Sequence, residues 1–241
     1  MPSVASSSSQ KRIFKPRLVN YKTSLSYEGL VTEANGHSAV VSTKSNSNVK
    51  VNDDIYTYQG SGVLKNSLNI RDAEELQNIE ISLTTERYLC YQSKVTKLNQ
   101  LDFSHLKNLH FHLFRDVYSW AGEVRDINIA KRDTLFCLFG RIEPEAAKLF
   151  SKIPALSNPT STDELIEKLA SLFCELNLLH PFRDGNGRAL RFFFEELLFT
   201  LGYEIHWPAL SQHDWIEANI AGVHQDLEPL ASILSEAMGL K

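Results

Sequence analysis

Leu178-Leu-His-Pro-Phe-Arg-Asp-Gly-Asn-Gly-Arg188 closes one amphipathic pattern and opens another. Upstream, Ser161-Thr-Asp-Glu164 reads as a capping box. Behind it Leu165, Ile166, Leu169, Leu172, Phe173 and Leu176 recur at helical spacing. The pattern runs out at His180-Pro181, because a residue before proline is pushed away from helical angles. Downstream, a helix is expected from near Gly187-Arg188 through Leu201, with Gly202 suited to its end. Two helices joined by a short glycine-bearing loop therefore form the centre of the chain.

That loop is dense in chemistry. Glycines at 185 and 187 let backbone approach a ligand closely. The first N–H groups of the following helix have no internal partner, so with the helix dipole Gly185, Asn186 and Gly187 make an anion site. Arg188 and Arg191 are three residues apart and share a face of the first turns. A helix start ordinarily favours acids, so two cations there suit an incoming polyanion. Asp184 offers a hard oxygen ligand of the kind Mg2+ shares with substrate phosphates. His180 is the side chain that exchanges a proton near neutral pH. Phosphate cradle, metal carboxylate and base together point to phosphoryl or nucleotidyl transfer.

Outward from the loop the pattern is mostly helical. Leu76, Ile79 and Leu83 share a face after Asp72, and Asp102 is placed to cap a helix carrying Leu106, Leu109, Leu113 and Val117. Between Val124 and Phe139 the period changes to short apolar runs around Lys131-Arg132-Asp133, which reads as a β-hairpin. A helix with Pro144 in its first turn follows, and Ser211 and Leu230-Ile233-Leu234 mark two more near the end. Residues 1–54 differ: they are rich in Ser, Asn, Lys and Thr, with short apolar clusters at Ile13-Phe14 and Ala39-Val40-Val41, and read as a poorly ordered extension.

Composition narrows the class. The chain has 241 residues, 43% of them apolar with thirteen Phe, enough for one sizeable core over residues 55–241. The net charge of −4 and the lack of a Lys/Arg run argue against nucleic acid as a main partner. No run of about 18 apolar residues suggests a membrane span, and the start lacks a secretory pattern. Three cysteines, Cys90, Cys137 and Cys174, have no metal-like spacing and read as buried free thiols. A cytoplasmic location is expected, with delivery into a host cell left open.

His180-Pro-Phe-Arg-Asp-Gly-Asn-Gly-Arg188, with Arg191 three residues on, resembles the signature of the Fic family. His110-Phe-His-Leu-Phe-Arg-Asp-Val-Tyr-Ser-Trp-Ala-Gly122 with Arg125, and Tyr58-Gln-Gly-Ser-Gly-Val-Leu-Lys-Asn66, are similar to further family segments. The resemblance spans about residues 55–240 and implies a mainly α, Fic-type helical bundle with one β-hairpin flap and a partly disordered N-terminal extension. It implies AMP transfer from ATP, with Mg2+, to a Ser, Thr or Tyr hydroxyl of a target protein, in a bacterial toxin-like setting. His180 would be the base and Asp184 the metal ligand. Gly185, Asn186 and Gly187 would line the anion hole, and Arg188 and Arg191 would neutralise the outer phosphates. The hairpin near 124–139 would dock the target by strand addition, with Lys131 and Phe136 placed as nucleotide contacts and simple packing left open for Phe136 and Phe139.

Many relatives are restrained by a helix carrying Ser/Thr-x-x-x-Glu-Gly/Asn, and Ser24-Leu-Ser-Tyr-Glu28-Gly29 fits that form. Three sources of restraint stay open: a separate small antitoxin protein, Ser24 and Glu28 within this chain, or none. Alternative activities are removal of AMP, transfer from another phosphate-containing donor, and a phosphate-binding module without chemistry.

Overall fold

The computed structural model describes residues 12–30, 54–131 and 134–240. Its helices are α1 (Leu18–Tyr27), α2 (Ala73–Leu89), α3 (Phe103–Phe114), α4 (Ile142–Phe150), α5 (Thr162–Leu179), α6 (Asn186–Leu201), α7 (Gln212–Val223) and α8 (Glu228–Ala237). Strands β1 (Ala130–Lys131) and β2 (Thr134–Leu135) form the hairpin, antiparallel, with Ala130 opposite Leu135 and Lys131 opposite Thr134.

Short-range signals placed the helix starts. Asp72, Asp102, Ser161 and Ser211 each accept a backbone N–H of the first turn of α2, α3, α5 and α7. Glu164 departs slightly from the reciprocal box: its carboxylate takes the N–H of Thr160, at 2.5 Å, rather than that of Ser161.

Helix α6 is the axis of the molecule. Its residues 188–198 are buried without interruption, so it is enclosed on every side, its polar Arg188, Arg191, Glu195 and Glu196 included. Helices α1, α3 and α5 pack on it, and α8 closes the far side of α5. Phe192, Phe193 and Phe194 are 1% exposed or less and anchor the core. Enclosure of α6 fixes where its N-terminus, and with it the Gly185 loop, must sit.

The N-terminal segment is the main departure from expectation. Of the stretch read as a poorly ordered extension, residues 12–30 belong to the packed body. Helix α1 buries Asn20, Tyr21, Ser24, Leu25 and Tyr27. Tyr21 stacks on Tyr88 with centroids 4.6 Å apart, and Tyr27 stacks on Trp215 at 4.3 Å. Asn20 donates to Ile205 O at 3.0 Å, and Tyr27 OH donates to Pro208 O at 2.5 Å. Polar and aromatic side chains make this contact, so apolar periodicity could not reveal it. The cluster at Ala39-Val40-Val41 lies outside the described residues.

Helix α2 buries Leu76, Glu80, Thr84 and Tyr88, while Ile79 and Leu83 are only partly covered. Cys174 is buried, but Cys90 is exposed at the end of α2 and Cys137 is half-buried in the hairpin stem. No helix among the described residues is long and apolar enough to cross a membrane.

Candidate active site

Helix α5 ends because His180 turns left-handed, with φ of 44°, ahead of Pro181. An L-residue pays about 1–2 kcal/mol for that conformation, and here it aims the imidazole back at its own helix. Nδ1 lies 2.9 Å from Asn177 O. A carbonyl only accepts, so Nδ1 carries the proton and Nε2 keeps its lone pair. The Phe136 ring lies parallel to the imidazole, 3.8 Å away at 14°. Burial, resisted by the Asn177 carbonyl and the Glu28 carboxylate, pushes the His180 pKa down to about 4. The ring is therefore a neutral base near pH 7.

The loop beyond it is folded by Asn186. Its side chain takes the N–H of Phe182 and donates to Phe182 O, both at 2.8 Å. That side chain is thus committed to backbone, and what Asn186 offers a ligand is its own N–H in the first turn. Gly185 is left-handed, with φ of 73°, and an added Cβ would overlap the Phe114 ring. Asp184 is exposed, and one of its carboxylate oxygens accepts Gly185 N–H at 2.6 Å.

The two arginines part company. Arg191 is 1% exposed and faces α1. Its Nε donates to Ser24 Oγ at 2.7 Å, and its Nη2 to Ser24 O at 3.0 Å and Glu28 Oε1 at 2.6 Å. Burial works against the Glu28 charge, but the Arg191 guanidinium outweighs it and holds the carboxyl down to about 2. A Cβ on Gly187 would fall on that carboxylate, so Glu28 occupies the ground over the start of α6. Arg188 instead turns toward α2. Its Nη1 lies 2.7 Å from Glu80 Oε1, out of hydrogen-bond alignment, and its guanidinium sits 4.6 Å from the Phe114 ring centroid. Tyr118 OH donates to the same Glu80 carboxylate. The expected pairing of both arginines toward one anion is therefore not what the side chains adopt: Arg191 lies beside Gly187 and meets Ser24 and Glu28, while Arg188 meets Glu80. Lys131 is exposed on β1.

Three site residues carried no assigned role in the sequence. Glu80 sits on a polar helix row. His110 is fully buried and accepts Gly122 N–H on Nδ1 at 2.8 Å, so Nε2–H donates to Asp184 O at 2.9 Å. Arg125 is 2% exposed and reaches carbonyls of the hairpin stem and of the loop. Only the resemblance of residues 110–125 to a family segment hinted at the last two.

Two neutral histidines, His110 buried and His180 half-buried, make a pH prediction. Burial lowers His110 to about 3 and His180 to about 4. Both folded values lie below the unfolded value near 6.5, so the unfolded chain binds more protons in acid. Their stabilising effect is complete above about pH 6.5 and is lost as pH falls toward 4. Thermal melts are expected to show a Tm at least ~5 °C lower at about pH 4.5 than at about pH 7.5. A flat profile in which His110→Gln also changes nothing would show these rings to be solvated.

Comparison with known proteins accounts for this arrangement. Residues 100–198 match the Fic/DOC family. The "Probable protein adenylyltransferase Fic" of Escherichia coli strain K12 is 34% identical over 189 residues, covering 77% of this chain and 92% of that protein. "Probable protein adenylyltransferase y4lH" of Sinorhizobium fredii is 37% identical over 186 residues, covering 75% and 93%. The N-terminal Fic domain of a VirB-translocated Bep effector from Bartonella quintana, solved with bound ADP, superposes with a TM-score of 0.67 at 25% identity, covering 78% of this chain and 98% of that one. Relatives matched over nine-tenths of their length, on a motif folded as described, leave one assignment: the chain belongs to the Fic/DOC family.

Proposed function

We propose that this protein transfers AMP from ATP to a Ser, Thr or Tyr hydroxyl of another protein, as its relatives' names suggest for them. The observation that carries the reading is the state of His180: Nδ1–H spent on Asn177, Nε2 unprotonated, in the same loop as a helix start built to hold phosphates. In the reaction the target hydroxyl gives its proton to His180 Nε2. Its oxygen forms a bond to the α-phosphorus, and the bond to the leaving pyrophosphate breaks with its electron pair going to pyrophosphate. Gly185 N–H is spent on Asp184, so the backbone N–H groups of Asn186 and Gly187 face the phosphates, and Arg191 neutralises the outer ones once freed from Glu28. Arg188 is paired with Glu80 and would have to leave that carboxylate to meet the outer phosphates.

Asp184 suits one Mg2+ shared with the nucleotide. It is a single exposed carboxylate beside the cradle, and Mg2+ commonly takes one or two carboxylates together with substrate phosphates. Bound there it would offset phosphate charge. The hairpin supports target docking: β1 and β2 form a two-stranded ribbon with open edges, beside exposed Leu135, Leu138 and Phe139.

Glu28 restrains the reaction in this reading, because it holds the guanidinium that the triphosphate needs. The contact favours restraint within the chain over a separate antitoxin. The same contact favours a second reading, removal of AMP by water that Glu28 positions. A carboxylate held down to about 2 is a weak base, which argues for restraint.

The test uses α-labelled ATP with Mg2+ and a bacterial lysate. A labelled protein band is expected with the chain carrying Glu28→Gly and a loss of about 10²- to 10⁴-fold on adding His180→Ala. Equal labelling with and without His180 would remove it as the base.

A further inference from the structure

Arg125 is a buried cation that the reaction above does not use. Among the described residues no carboxylate lies within ion-pair distance of it, and burial pulls its pKa down. Burying an unpaired charge is costly unless its donors are met. Here they are met by carbonyls alone. Nε donates to His180 O at 2.8 Å, Nη1 to Ile127 O at 2.5 Å and Nη2 to Cys137 O at 2.5 Å. The Arg125 backbone N–H takes the next carbonyl of the loop, Pro181 O, at 2.9 Å. Cys137 N–H closes the set on Leu178 O at 3.0 Å. One residue thus holds two successive carbonyls at the left-handed turn and both stems of the hairpin.

The hairpin reaches the same imidazole a second way. Phe136 follows β2 directly, is 9% exposed, and covers one face of the ring. The His180 side chain has two torsions. Its Nδ1 bond to Asn177 fixes the ring plane only while the His180 backbone stays left-handed, and Arg125 holds that backbone by its carbonyl.

We infer that Arg125 and Phe136 are positioning residues for His180, so that the hairpin proposed to dock the target also sets the orientation of the base. The inference rests on His180 being that base. Alignment of a proton acceptor is worth large factors in rate, and a displacement of about 1 Å costs on the order of 10²-fold. A hairpin joined rigidly to the base passes its own register to Nε2. A target segment added to the strand edge is then in register with the group that deprotonates it.

The full chain carrying Glu28→Gly is the parent for the test. Arg125→Lys keeps the charge and loses the fork. Phe136→Ala removes the ring cover, and Phe136→Tyr keeps it. Steady-state transfer gives kcat and the KM for ATP, and nitrogen NMR of labelled histidine reports the His180 tautomer. Arg125→Lys and Phe136→Ala are expected to lower kcat by about 10- to 100-fold, with the ATP KM unchanged for Arg125→Lys, whose guanidinium meets only hairpin and loop carbonyls. His180 is expected to lose its single Nδ1–H signature in both, and Phe136→Tyr to restore rate and signature together. An unchanged kcat, a fall in kcat with the tautomer intact, or a fall that Phe136→Tyr does not repair would each overturn the inference. Should Arg125→Lys fail to fold, the Phe136 pair decides alone. A parent that transfers no AMP would count against the proposed function, while the tautomer readout still decides the positioning claim.

Discussion

Glu28→Gly is expected to raise both ATP affinity and AMP transfer by about 10- to 100-fold, and to lower the stability of the nucleotide-free chain. The two effects share a cause. Arg191 is 1% exposed and its only carboxylate within ion-pair distance, among the described residues, is Glu28 at 2.6 Å. A triphosphate that uses Arg191 must first displace that carboxylate, and each tenfold gain in affinity corresponds to about 1.4 kcal/mol removed from the exchange. Removing one member of a buried pair leaves the other charge unmet, at a cost of about 3–5 kcal/mol in closed settings. The Glu28 side chain is 27% exposed, so water relieves part of that cost. Phosphate should relieve the rest. At a ligand concentration of about 100 times Kd, binding stabilises by about 2.7 kcal/mol. Melts with and without ATP and Mg2+ separate the cases: a large ligand-induced rise in Tm for Glu28→Gly and a small one for the parent. Equal rises would mean that Glu28 does not compete with the nucleotide.

Gly185→Ala is expected to cost about 2–5 kcal/mol and to lower Tm by about 10 °C, with loss of nucleotide binding. Gly185 has φ of 73°, where an L side chain is strained, and the new Cβ would overlap the Phe114 ring. That ring has no room to retreat. It is fully buried, with His110 at 4.6 Å on one contact and the Arg188 guanidinium at 4.6 Å on another. Gly202→Ala is the matched control, since its φ is 103° and no atom lies within 4 Å of an added Cβ. It should show the backbone cost alone, about 1–2 kcal/mol. Equal losses at the two glycines would rule out crowding under the loop.

What the sequence made legible was local. Caps at Asp102, Ser161 and Ser211 are read from a few adjacent residues, and the structure uses all three and adds Asp72. The hairpin was placed correctly between Val124 and Phe139, though only two residues pair on each side and Arg125 ties the stems instead. The motif put His180, Asp184, Arg188 and Arg191 in one neighbourhood but gave no direction to their side chains. Residues three apart on a helix differ by about 60° around its axis, enough for Arg188 to meet α2 while Arg191 meets α1. Apolar periodicity gave no sign of helix α1, because its buried face is built from Asn20, Tyr21, Ser24 and Tyr27 with Leu25 as its one aliphatic member, and only the Ser24–Glu28 motif pointed to it. Glu80 and His110 stayed hidden for the related reason that a buried polar group is defined by partners remote in sequence, here Arg188 and Asp184.

Glu28 and Arg191 are 163 positions apart yet belong to one chain, and that joins occupancy of the guanidinium to chain connectivity. A partner protein leaves on dilution, with a fraction bound that follows the ratio of two expressed amounts. A tethered carboxylate has an effective concentration set by geometry alone. Neither dilution nor a shortage of a second gene product would free Arg191. The quantities that could are the level of the competing triphosphate and the work of lifting α1 off the Tyr21–Tyr88 and Tyr27–Trp215 stacks.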